Sequence, residues 1–374
     1  MKILSVCTSI PENNNAMWLR ISKIGKMLES KGHDVHFVHY IRKRSYDMIK
    51  NPDNFKNHSF IIVSPFTVHI KHLKFLRNAH YDLVYANTAS SAFISLLGKV
   101  TKVPILFDMH GDIVEEFLIE NKFSIFSSFL PNLIYKKLVN SISLRLSNHI
   151  ITVSNEMINN LNSNRGIPLE KMSYITNGID LDVFKPLKNN ADLKKKLGIE
   201  DKFIFGYIGA LDKWQGVDRF IDAAREIDDK DTIFLIVGWR KSKKENNIIY
   251  VPKVPYSQIT NYYSICDVLT LPRPHHISTE VAAPTKFAEY TAMGKPILTT
   301  NVGDAANFVE KYKCGIVTKS DTPESLIDGI NKFLNLSQKQ LDVMGKNSRK
   351  LAENEFDLEK IAIKLNNVLD KKIS

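Results

Sequence analysis

Lys286 and Glu289 stand three residues apart in Ala283-Pro-Thr-Lys-Phe-Ala-Glu-Tyr-Thr-Ala-Met-Gly-Lys-Pro-Ile-Leu-Thr-Thr300, a spacing that puts a cation and a carboxylate on one helix face. Pro284 suits a helix start, because its missing N–H falls where a helix has no partner for one. Gly294 suits a left-handed cap, Pro296 stops the helix, and Ile297-Leu298 reads as a buried strand. Free N–H groups and the helix dipole favour an anion in the first turns. A lysine to neutralise phosphate and a carboxylate to accept two ribose hydroxyls there describe a nucleotide-diphosphate site. A salt-bridged amphipathic helix fits the same residues, and the stretch alone does not separate the two.

Three other constellations follow apolar runs. Gly209-Ala-Leu-Asp-Lys-Trp-Gln-Gly216 succeeds Phe203–Ile208 and leads into a helical pattern. Its glycines would let backbone approach a phosphate, yet it has neither Walker nor dinucleotide spacing. Asp108-Met-His-Gly-Asp-Ile-Val-Glu-Glu116 sets His110 among four carboxylates. That histidine reads either as a general acid/base or sugar-hydroxyl ligand, or as a structural group in a polar loop. His275-His276 has no helical i, i+4 spacing and no third clear ligand, so no metal site is expected.

These residues need elements to hold them. Runs at Lys2–Val6, Val35–Tyr40, Leu83–Ala86, Ile105–Asp108 and Ile150–Val153 form one series of strands. Phe203–Ile208, Ile233–Val237, Val268–Leu271 and Ile297–Thr300 form a second, with helical patterns such as Met17–Lys31, Val217–Ile227 and Ser325–Leu334 between runs. Alternation of this kind predicts parallel sheets with helices on both faces, and ligands beyond the carboxyl ends of the strands. A length of 374 residues exceeds what one core usually holds. The expectation is an α/β protein of two Rossmann-like domains facing each other across a cleft. Residues 1–185 would form the first and 186–350 the second, with 351–374 a helix crossing back to the first. Asn177-Gly178, in the connection, predicts a turn.

Composition narrows the function. The net charge is +11, and residues 15–80 hold 12 Lys/Arg against 4 Asp/Glu. No zinc-finger spacing, aromatic RNA-binding signature or basic zipper accompanies that excess, so nucleic acid is not the expected partner. Cys7, Cys266 and Cys314 are scattered and odd in number, which fits a reducing cytoplasm. The first ten residues read as a buried strand rather than a secretion signal, and no run reaches membrane-spanning length. Phe117–Arg145 combines Phe123, Ile125, Phe126, Phe129, Leu130, Leu133, Ile134 and Tyr135 with Lys136, Lys137 and Arg145. It fits either a core helix or a basic amphipathic surface for anionic lipid.

The order of motifs resembles the GT-B-fold glycosyltransferases, and more closely their retaining family 4-like, group 1 members. The match rests on Asn177-Gly-Ile-Asp-x3-Phe184, on Gly209-x6-Gly-Val217, and on Pro284-Thr-Lys-x2-Glu-Tyr-x3-Gly-Lys-Pro-Ile297. Lys31-Gly-His-Asp-Val35 and Ile150-Ile-Thr-Val-Ser154 extend it over the first half. The resemblance implies transfer of a sugar from a nucleotide-sugar donor to a glycan or lipid-linked glycan hydroxyl, with retention. It implies no metal cofactor and a place in the cytoplasm, at the inner face of the cell membrane, in bacterial surface polysaccharide, lipopolysaccharide or glycolipid synthesis. Glu289 would hold the ribose, Thr285 and the helix start would meet the diphosphate, Gly209 would admit it, and His110 would contact the transferred sugar.

Departures from the pattern bear on that assignment. Ala210 and Gln215 stand where many relatives have Arg and Lys, which leaves Lys213 as the nearby cation and Trp214 as a candidate to pack on the nucleotide. The carboxylate that relatives carry eight residues before Glu289 falls on Val281, with Glu280 one place off, so Lys286 is expected to replace it. Asn13-Asn14-Asn15 replaces a glycine pair in the first turn. A non-catalytic scaffold of the same fold, or a nucleotide-sugar 2-epimerase, remains an alternative at this level.

Overall fold

A computed structural model describes residues 1–11, 16–49, 52, 55–64, 67–96, 102–120 and 129–373. The chain divides into two compact units, Met1–Thr176 with Glu359–Ser374, and Asn177–Leu358. The first division therefore falls nine residues before the expected 185/186. Residues 177–185 side with the second unit because Ile179 N–H donates to Phe356 O at 2.7 Å and Phe184 is buried, its carbonyl held by Arg349 Nη1 at 2.9 Å. The single final helix expected from about Lys350 to Lys372 is two helices, Gln338–Glu355 and Leu358–Lys372. They part at Phe356, which is itself buried. Asn177-Gly178 forms no turn, and Ile179 bridges in parallel to Asp357.

In the first unit the strands are β1 Lys2–Cys7, β2 Asp34–Ile41, β3 His58–Ile62, β4 Leu83–Ala86, β5 Ile105–Met109, β6 His149–Thr152 and β7 Met172–Tyr174. All pair in parallel, in the order β3-β2-β1-β4-β5-β6-β7. Every residue of β4, β5 and β6 is buried, as strands covered by helices on both faces require. The second unit contains β8 Phe203–Ile208, β9 Thr232–Trp239, β10 Lys243–Glu245, β11 Ile248–Pro252, β12 Val268–Leu271, β13 Ile297–Thr300 and β14 Gly315–Thr318. Their order is β10-β11-β9-β8-β12-β13-β14, parallel except for the β10–β11 hairpin. Strand order reverses between β1 and β4 in one sheet and between β8 and β12 in the other.

A buried ion pair ties the first unit together. Arg20, on the helix Ala16–Ser30, donates from Nε and Nη2 to Asp108 at 2.9 and 2.7 Å. Nη2 also meets Ile175 O at 3.1 Å, and Tyr85 OH donates to Asp108 at 2.9 Å. A helix, two strands and the end of the unit thus share one charged cluster. Asp112 is occupied as well, accepting from Val114 N–H, Asn140 and Arg165 at 2.9, 3.1 and 2.6 Å. Two of the four carboxylates around His110 are therefore structural.

The segment expected at a membrane is two helices, Ile113–Glu120 and Phe129–Leu146, while Phe123, Ile125 and Phe126 lie outside the described residues. Phe129, Val139 and Leu144 pack inward, whereas Leu130, Ile134, Tyr135 and Leu138 are exposed. Among the described residues no helix is long and apolar enough to cross a membrane. Asn13-Asn14-Asn15 also lies outside the described residues.

Asp108→Asn leaves the Arg20 charge buried without its counter-ion. Urea unfolding should show a loss of about 3–5 kcal/mol, the usual consequence of halving a buried pair.

Candidate functional site

The second unit's switch point, between β8 and β12, gathers the residues of interest. The site helix is Thr285–Ala292. Pro284 stands one residue before it rather than within its first turn, and Gly294 closes it with φ +67°. Asn177 Nδ2 donates to Ala283 O at 2.7 Å, fixing where the helix begins. Gly209 follows β8 with φ +153°, and a Cβ there would lie 2.7 Å from Lys286 Nζ and 2.8 Å from its Cδ. The close approach this glycine permits is thus by a lysine stem.

Lys286 and Glu289 share a face but make no ion pair, which removes the salt-bridged reading of the helix. Lys286 Nζ donates to Tyr207 OH at 2.6 Å and Gln215 Oε1 at 2.9 Å, and lies 4.5 Å from the centre of the Tyr207 ring. Desolvation first, then the charge of Arg273, draws its pKa down to about 7. Glu289 is 5 % exposed. Its two oxygens accept from Tyr256 OH at 2.9 Å and Tyr263 OH at 2.6 Å. Gln215, where relatives were expected to place a lysine, therefore receives one from the site helix instead.

The remaining expected residues scatter in role. Thr285 is exposed on the first turn of the site helix. Lys213 is exposed in the short turn Lys213–Gln215 and makes no hydrogen bond or ion pair with a described residue. Trp214 is half-buried without an aromatic partner among the described residues. Ala210 O accepts from Tyr207 OH. Val281 is buried, and Glu280 turns to His275, 3.3 Å away. His276 caps the helix Ile277–Glu280 through Nδ1 and Ser278 N–H at 3.1 Å.

In the first unit, His110 stands one residue beyond β5 with Nδ1 buried and without a partner. Desolvation lowers its pKa below the ordinary 6.5, against the pull of Asp108, so the ring is neutral at pH 7.

Sequence reading passed over Arg273. It lies two residues beyond β12, 7 % exposed, with a buried Nε that has no partner and no carboxylate at ion-pair distance among the described residues. Burial pulls its pKa down to about 10. The available signal was an arginine bracketed by Pro272 and Pro274 directly after an apolar strand.

A model described as glycosyl transferases group 1 matches residues 189–351, and one described as glycosyltransferase family 4 matches 20–183. Spore coat protein SA of Bacillus subtilis is 25 % identical over 250 residues, 59 % of this chain and 64 % of that protein. The UDP-Gal:alpha-D-GlcNAc-diphosphoundecaprenol alpha-1,3-galactosyltransferase of Escherichia coli is 24 % identical over 305 residues, 77 % of this chain and 74 % of that one. The structure of Anabaena Alr3699/HepE in complex with UDP matches with a TM-score of 0.78 at 18 % identity, covering 99 % of this chain and 100 % of that one. The likeness establishes the GT-B fold.

Tyr263 is fully buried and Tyr256 is half-exposed, so their hydroxyls are not equivalent. Tyr263→Phe strips a buried carboxylate of a donor and should cost about 1–3 kcal/mol in urea unfolding. Tyr256→Phe, whose loss water can make good, should cost less than about 1 kcal/mol.

Proposed function

We propose, for a chain that belongs to the group 1 glycosyltransferases, that it moves a sugar from a nucleotide-sugar donor to a hydroxyl of a glycan or lipid-linked glycan, with retention at the anomeric carbon. Glu289 carries the reading. A buried carboxylate whose oxygens already accept two hydroxyls has the chemistry a ribose diol needs. Tyr256, on the half-exposed side, is the partner that an incoming ribose hydroxyl replaces, while buried Tyr263 keeps the carboxylate aimed.

The diphosphate then lies at the start of the site helix, near Thr285 and the Lys286 ammonium. The leaving group gains charge as the glycosidic bond breaks, so donors aimed at it stabilise the transition state more than the ground state. No metal is needed for that step. Neutral His110, with an unpaired Nδ1, suits a sugar hydroxyl. The Escherichia coli relative, a galactosyltransferase named for a diphosphoundecaprenol-linked sugar, supports a reading of surface polysaccharide or glycolipid synthesis at the cytoplasmic membrane face. The exposed Leu130, Ile134, Tyr135 and Leu138, with Lys137 beside them, suit an anionic lipid surface.

A thermal-shift panel of nucleoside diphosphates and nucleotide-sugars tests the donor. A ligand at a hundred times its Kd should add about 2.7 kcal/mol of stability. Glu289→Ala should abolish both that shift and sugar transfer; no shift from any nucleotide at millimolar concentration refutes the reading. Product formation from donor alone, without acceptor, would identify an epimerase instead. Flotation with anionic vesicles should show salt-sensitive binding, and its absence removes the membrane contact.

A further inference from the structure

Arg273 is a buried cation to which the reaction proposed above gives no part. Arg273 is buried to the same extent as Arg20, at 7 % exposure, yet their surroundings differ. Arg20 meets Asp108 and the Ile175 carbonyl. The guanidinium of Arg273 meets no carboxylate among the described residues, and its Nε meets nothing. Slack in the chain does not explain this. Arg273 O accepts from Thr300 Oγ1 and Pro274 O from Thr279 Oγ1, each at 2.6 Å. A Cβ on Gly216 would fall 1.8 Å from Pro272 O, so the glycine loop is pressed against the same backbone. The arginine is held where burial works against it.

Its charge is also felt by Lys286, the like charge on the site helix. Asp212 and Glu289 attract that ammonium, but neither comes within ion-pair distance of it, and its hydrogen bonds go to the neutral Tyr207 and Gln215. Two neighbouring cations without close counter-ions, at a switch point and beside a helix start, are complementary to a multiply charged anion. The glycine loop contributes no cation of its own at Ala210 or Gln215.

We infer that Arg273, paired with Lys286, binds the diphosphate of the nucleotide donor and supplies positive charge that the glycine loop lacks at Ala210 and Gln215. The inference rests on the donor reading above and adds a residue to it. Product diphosphate is more highly charged than the donor, so the pair favours the state toward which the reaction moves. Binding also settles the like-charge repulsion, and raises the proton affinity of Lys286.

Calorimetric titration of the full chain tests this, using nucleoside diphosphates, the matching nucleosides and inorganic pyrophosphate. Arg273→Met should weaken nucleoside diphosphate binding roughly ten- to hundred-fold, the usual weight of a charged hydrogen bond, and leave nucleoside binding unchanged. Arg273→Lys, which keeps the charge without the planar fork, should fall between. Wild-type affinity for the diphosphate should decline as pH rises above about 7, where free Lys286 must take up a proton to bind. In Arg273→Met that decline should move to higher pH, because the repelling neighbour is gone; a merely structural arginine would not shift it. Equal diphosphate affinity in Arg273→Met and wild type overturns the inference and leaves the donor reading standing. Should no nucleoside diphosphate bind the wild type, the donor reading fails and pyrophosphate decides. Binding that Arg273→Met loses upholds the cation pair for a free diphosphate, and no binding overturns it.

Discussion

A parallel sheet covered on both faces leaves its ligands one place to meet polar groups, the edge beyond the carboxyl ends of its strands. Both units obey that constraint. Gly209, Arg273 and the site helix follow β8 and β12, and His110 follows β5. The candidate binding groups lie on the loops beyond the strand ends, where glycine and proline set their geometry. Gly209 yields its side-chain space to Lys286, and Gly216 yields its own to the backbone of Pro272.

The two buried arginines show how differently the fold treats charge. Around Arg20 every available group is recruited to satisfy it: a carboxylate, a tyrosine that bonds the same carboxylate, and a main-chain carbonyl. Such a cluster fixes one arrangement of helix and strand. Around Arg273 and Lys286 the partners are neutral or absent. Tyr207 and Gln215 orient the lysine without neutralising it, and the resulting surplus of positive charge is a stored preference for an anion. Stability is conceded at the switch point where binding is needed.

Local pattern made much of the architecture readable. Leu83–Ala86, Phe203–Ile208, Val268–Leu271 and Ile297–Thr300 are strands with the bounds that their apolar runs suggest. The C-terminal cap at Gly294 follows from the same kind of short-range rule. His58–Ile62 did not stand out, because it is a half-buried edge strand containing a histidine and a serine. Gly315–Thr318 is short and opens on glycine. Asn177-Gly178 misled because the segment is held by partners distant in the chain. The Asn177 amide reaches Ala283, 106 residues away, and Ile179 bridges Asp357. The same pairing explains why the domain boundary came earlier than composition suggested.

By itself the sequence determined the alternation of strands and helices, the strand ends on which chemistry falls, and the choice of Lys286 and Glu289 as a pair on one face. Each depends on neighbours within a few positions. Tertiary structure alone decided what the pair does. Glu289 finds its hydroxyls 33 and 26 residues away, and Lys286 finds its partners 79 and 71 residues away. Lys213, which the sequence favoured as the nearby cation, is exposed, while Arg273 is buried with no carboxylate at ion-pair distance among the described residues. Whether a charge is satisfied depends on burial and on partners brought together by folding, and neither is written in the spacing of a motif.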